Sequence, residues 1–151
     1  MSEGSPHGTS RGADRPRLVP ELLVSDLARS LRFWRDALGF KVSYDRPEHG
    51  FAYLEREGAA LMLEQRDRAA RTWETGPLDP PLGRGINFEI TVPDLDAILA
   101  RLAEQAWPLY LAPEVKHYRV GDRDVGQRQF LVQDPDGYLA RLAEPMDPDA
   151  P

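Results

Sequence analysis

Few side chains in this 151-residue chain are of a type and spacing to do chemistry. The three histidines, His7, His49 and His117, stand far apart, and none has metal-ligating spacing with another. With no cysteine, disulfides, thiolate metal sites and cysteine nucleophiles are excluded. No serine sits in a nucleophile elbow, and no glycine-rich phosphate loop leads into a helix. Glu55, Glu57, Asp122 and Asp124 fall in predicted hairpins or loops, where a carboxylate is ordinarily solvated. What is left is affinity chemistry: rings that stack on a flat ligand, and acidic groups that attract a cation. The candidate rings are Phe51, Tyr53, Trp73, Phe88, Tyr118 and Phe130. Phe88 and Phe130 alternate along predicted strands, so core packing accounts for them. Trp73, in a linker, and Tyr118, in a loop, are harder to explain as core.

The elements that must position these residues read as one pattern written twice. Leu18 to Val24 reads as a strand, with Pro20 better suited to an end or an edge than to the middle. Ser25-Asp26 forms a turn and cap, and Leu27, Leu31, Phe33 or Trp34, and Leu38 recur at helical spacing up to Gly39. Phe40 to Tyr44 is a short strand, and Phe51 to Glu55 with Ala60 to Gln65 is a hairpin around Glu57-Gly58. Ile86 to Val92 begins again, Pro93-Asp94 caps a second helix, and Trp107 to Leu111 is the second short strand. Asp124 to Gln133 and Tyr138 to Ala143 then make a hairpin around Asp134-Pro135-Asp136-Gly137. Val24 and Val92, Asp26 and Asp94, Leu27 and Leu95, and Leu31 and Leu99 all lie 68 residues apart. Each copy is β-α-β-β-β. The expected organisation is a disordered tail over residues 1–17, a first module over 18–65, a proline-rich linker over 66–84, a second module over 85–145 and a tail over 146–151. The fold class is α+β, two paired modules forming an open, cupped mixed sheet.

Leu22-Leu23-Val24-Ser25-Asp26-Leu27, Ser30-Leu31-Arg32-Phe33-Trp34, Leu38-Gly39-Phe40 and Asp134-Pro135-Asp136-Gly137-Tyr138 together resemble the vicinal oxygen chelate superfamily. That superfamily contains glyoxalase I, extradiol dioxygenases and bleomycin resistance proteins, and the resemblance covers roughly Leu18 to Glu144. It implies a metal or ligand held inside a cup made by two modules. In its enzymes a divalent metal is bound by His, Glu or Gln side chains. By register the ligand positions fall here on Val19, on Met62 or Glu64, on Asn87 and on Arg141. Valine cannot ligate, asparagine ligates poorly and arginine repels a cation, so no metal or other cofactor is expected. The resemblance is then nearest the metal-free bleomycin resistance proteins, small acidic homodimers that sequester a cationic drug.

Composition agrees. A net charge of −6 argues against nucleic acid and permits a cationic ligand. No apolar run is long enough to span a membrane, and residues 1–17 lack the apolar stretch of a secretory signal, so a cytoplasmic protein is expected. The expected function is non-enzymatic sequestration of a cationic, bleomycin-type antibiotic by a homodimer. The expected ligand-binding residues are Phe51, Tyr53, Trp73, Asn87, Tyr118, Phe130 and Arg141. The alternatives are a metal-dependent lyase, isomerase or dioxygenase, or a small-molecule sensor on the same fold.

Overall fold

Asp26 and Asp94 do the same work 68 residues apart. The Asp26 carboxylate accepts from Arg29 N at 3.2 Å and the Asp94 carboxylate from Ala97 N at 3.2 Å, each satisfying a free amide at a helix start. The helices they open are α1 (Leu27–Leu31) and α2 (Leu95–Glu104). A computed structural model describes residues 15–147 and 149, so the expected tails lie largely outside the described residues. Its strands are β1 (Glu21–Val24), β2 (Lys41–Arg46), β3 (Phe51–Arg56), β4 (Ala59–Gln65), β5 (Asn87–Thr91), β6 (Leu111–Val120), β7 (Arg123–Gln133) and β8 (Leu139–Pro145).

They form two open four-stranded sheets of equivalent order, β1-β4-β3-β2 and β5-β8-β7-β6. In each sheet the first pair is parallel and the other two are antiparallel. This is the α+β architecture of paired modules that the repeat predicts. Strand parity decides which side chains face the helices. Ala52 and Leu54 on β3, with Leu61 and Leu63 on β4, enter the core, whereas Phe51, Tyr53, Met62 and Glu64 face away from it. Both helices and both sheets contribute to a single apolar cluster, which includes Val24, Trp34, Ile98 and Phe130. Among the described residues no helix is long and apolar enough to cross a membrane.

After Leu31 the first helix widens into a π-helical segment over Arg32–Ala37, with Leu38 N donating to Phe33 O at 3.0 Å. That widening brings both Phe33 and Trp34 inside, where regular spacing offered a choice between them. The modules are tied together by polar bonds as well: Arg101 Nε donates to Ala37 O at 2.8 Å, and the Tyr138 hydroxyl to Leu23 O at 3.0 Å. The end of the 66–84 segment docks on the turn before β8, Leu82 N donating to Asp136 O at 2.8 Å. A Cβ on Gly83 would stand 2.5 Å from the Tyr138 ring, so glycine is what permits that approach.

Three local expectations are corrected. β1 begins at Glu21 rather than Leu18, and Pro20 contributes only its carbonyl, which accepts from Met62 N at 2.9 Å. Trp107 lies outside any strand: its indole N–H donates to Gln133 O at 2.8 Å while the ring meets Phe33 at 5.6 Å. The strand expected there instead runs from Leu111 to Val120, so His117 and Tyr118 are strand residues, not loop residues. All ten residues of β6 are exposed, so no buried face imposed an apolar alternation for the sequence to display.

Candidate binding site

Residues directly opposite on neighbouring strands share a face. On the first sheet the row Tyr44, Tyr53, Met62, Glu21 crosses β2, β3, β4 and β1 on the side away from the helices, and Arg46, Phe51 and Glu64 form the row beside it. A bulge between Val42 and Tyr44 rotates Tyr44 onto this side. Its ring stacks on Tyr53 with centroids 5.0 Å apart and planes 13° from parallel. Arg46 lies 3.9 Å from the Phe51 centroid, and Arg15 lies 5.5 Å from both tyrosine centroids. Phe51 and Tyr53 are therefore buried, yet by polar groups of the open side rather than by the core. Next to the rings, Glu21 and Glu64 share a hydrogen bond. Partial burial, then that bond and the Glu64 charge, push Glu21 up to about 7 against the pull of Arg46. Burial first, then the Glu55 charge, raises the Tyr53 hydroxyl.

The second sheet presents a polar counterpart. Arg141 on β8 stands opposite Glu89 on β5 and Leu131 on β7, and Arg141 Nη2 contacts Glu89 Oε2 at 2.7 Å. Gln129 is almost fully buried, bonded through Nε2 to Glu114 at 2.9 Å and to the Tyr118 hydroxyl at 2.8 Å, and accepting from Gln127 at 2.8 Å. Glu89, Tyr118, Gln127 and Arg141 line a cleft of about 310 Å³. The Arg141 Nε is buried with no partner among the described residues.

The expected site residues thus separate. Phe51 and Tyr53 share the first open face, and Tyr118 and Arg141 share the second. Asn87 is exposed at the start of β5, where a cleft of about 400 Å³ runs between that strand and Ala59–Leu61. Trp73 is 67% exposed in the connecting segment, with the Arg71 guanidinium 4.8 Å from its ring centroid. Phe130 is fully buried in the apolar cluster, so it does not reach an open face; its place opposite Leu142 puts it on the helix side of the sheet. Tyr44, Glu21 and Arg15 were not foreseen. Tyr44 was hidden by the bulge, which breaks strand parity, and Glu21 by the late start of β1.

The resemblance implies a divalent metal, which needs several donors converging on one face. Met62 and Glu64 both face the open side, which leaves Glu64 as one carboxylate beside Glu21. Arg141 holds a positive charge at another ligand position and engages the nearby Glu89 carboxylate. No group of three His, Cys, Asp or Glu that could hold a metal exists among the described residues. The residues present do not fit a divalent metal of the kind those enzymes use.

Residues 17–142 match the family described as Glyoxalase/Bleomycin resistance protein/Dioxygenase superfamily. The chain belongs to that superfamily. A superfamily member from Vibrio splendidus 12B01 is 38% identical, covering 83% of this chain and 95% of that one, with a TM-score of 0.39. TioX from Micromonospora sp. ML1 is 21% identical over 84% of this chain and 96% of its own, with a TM-score of 0.65. Lactoylglutathione lyase from Agrobacterium tumefaciens is 19% identical over 84% and 92%, with a TM-score of 0.54. The last two likenesses are likenesses of fold. No curated protein matches the chain significantly.

Proposed function

We propose that this superfamily member binds and sequesters a flat, cationic small molecule of the bleomycin type without transforming it. One observation carries the reading: the open face of the first sheet sets stacked tyrosines beside a carboxylate pair, on a fold whose metal-ligand positions hold Val19, Asn87 and Arg141. Rings supply stacking area, and the Glu21–Glu64 pair supplies negative charge for a cationic arm. Sequestration requires nothing more than affinity. The polar face of the second sheet, with Tyr118 and Arg141, is the natural opposite wall, contributed by a second copy of the chain. Val120, 43% exposed on the same face of β6 as Tyr118, supports such a pairing.

The test is a titration of the purified full chain with bleomycin at low and high ionic strength. Saturable binding that weakens with salt is expected, because charge brings the ligand in. Tyr53→Ala, checked for folding by thermal melting, is expected to weaken binding more than tenfold, about 2 kcal/mol for a buried aromatic anchor. Absence of saturable bleomycin binding at any salt concentration would refute the reading.

A further inference from the structure

Arg15 sits just before the first strand, with its guanidinium carbon 5.5 Å from the Tyr44 centroid and 5.5 Å from that of Tyr53. Because those two rings are already stacked on one another, a single guanidinium serves both. Among the described residues Arg15 makes no ion pair, and its guanidinium meets the two rings. Along the same face Arg46 covers Phe51 at 3.9 Å. Aromatic faces select flat, weakly hydrated cations, and guanidinium is the side-chain group of that kind. Glu21 and Glu64 stand on the two neighbouring strands of the same face, ready to balance a further positive charge.

We propose that the Tyr44–Tyr53 pair is a binding site for planar guanidinium- or amidinium-type cations, and that the chain's own Arg15 fills it until such a ligand arrives. The inference rests on the open face of the first sheet being the ligand site, and it goes further by naming the cation's shape and an internal competitor. A ligand reaching the rings displaces Arg15, so its apparent affinity is reduced by the fraction of molecules in which the arginine is seated. The competition is local: Arg15 and the short stretch joining it to β1 need only swing away from the rings, and no strand pairing is broken, since β1 begins at Glu21.

Benzamidine, a planar amidinium, is the probe, titrated into the full chain and followed by NMR for wild type, Arg15→Ala and Tyr44→Leu. Arg15→Ala is expected to bind benzamidine about fivefold more tightly than wild type, the gain from removing a competitor held by two cation–π contacts. Tyr44→Leu is expected to bind it more weakly. A second readout needs no ligand: ring currents should shift the Arg15 δ-methylene protons upfield in wild type and release them in Tyr44→Leu. Equal benzamidine affinity in wild type and Arg15→Ala, no benzamidine response at Tyr44 and Tyr53, or unshifted Arg15 protons in wild type would each overturn the proposal. Bleomycin binding that is indifferent to Arg15→Ala would leave sequestration standing and remove only the internal competitor. Benzamidine seated on Tyr44 and Tyr53 without bleomycin binding would do the reverse.

Discussion

The indole N–H of Trp34, in the first repeat, donates to the carboxylate of Asp134, in the second, at 3.0 Å with both side chains buried. The same carboxylate accepts from the backbone amides of Asp136 and Tyr138, each at 2.9 Å, and so shapes the turn before β8. One acidic group therefore bridges the modules and braces the hairpin whose register places Arg141 opposite Glu89.

Asp134→Ala is expected to lower stability by on the order of 2 kcal/mol or more, because one buried and two part-buried donors lose their acceptor at once. Denaturant unfolding at neutral pH measures it; a change below about 0.5 kcal/mol, the usual spread of surface substitutions, would show that the bridge contributes little.

Burial pushes Asp134 up from 3.8 to about 6, opposed by its bonds from Trp34, Tyr138 and Asp136, and Glu21 is pushed up from 4.5 to about 7. Each carboxyl binds a proton more tightly in the folded than in the unfolded chain. Between the two values the folded state holds more protons, so stability must fall as pH rises through that window. The protein is expected to be more stable near pH 5 than near pH 8, with Asp134 acting over the lower part of the range and Glu21 over the upper. Denaturant midpoints taken across the range would show the decline, and Glu21→Gln should flatten its upper part. A midpoint rising with pH contradicts the assignment.

Much of this arrangement was legible in the sequence, and the parts that were not have physical causes. The 68-residue offset placed both helix caps, because a cap depends on local residue types. Strands with one buried face, such as β3 and β4, announced themselves through alternation. β6 did not, because neither of its faces is buried, and Tyr118 was consequently read as a loop residue. The first open face was half visible: Phe51 and Tyr53 were identified, but Tyr44 depends on a bulge, and Glu21 comes beside Glu64 only because β1 and β4, distant in sequence, run parallel with Glu21 opposite Met62. Phe130 lies on the buried side of its sheet, and its aromatic character says nothing about which side of the sheet it takes.

Protein purified without chelators is expected to carry no stoichiometric divalent metal. The guanidinium of Arg141 is held against Glu89 at 2.7 Å at a position where a metal enzyme of this superfamily needs a donor. Elemental analysis finding about one transition metal per chain would return the protein to the enzyme reading.

Assembly supplies the remaining test. The β6–β7 ribbon presents Tyr118 and Val120 on the same side as Gln127 and Arg141, and Val120 remains 43% exposed. A two-fold pair of chains would lay this polar and apolar wall across the tyrosine face of the other copy, closing two equivalent clefts and burying side chains that a lone chain leaves wet. Sedimentation equilibrium at micromolar concentration is expected to give a dimer. Val120→Asp, which sets a charge in the middle of that contact without touching the core, should shift the equilibrium toward monomer and leave the unfolding transition of the monomer intact. It should also weaken bleomycin binding, since the second wall then goes missing. A wild-type monomer that binds bleomycin saturably would show that the first sheet's open face suffices alone.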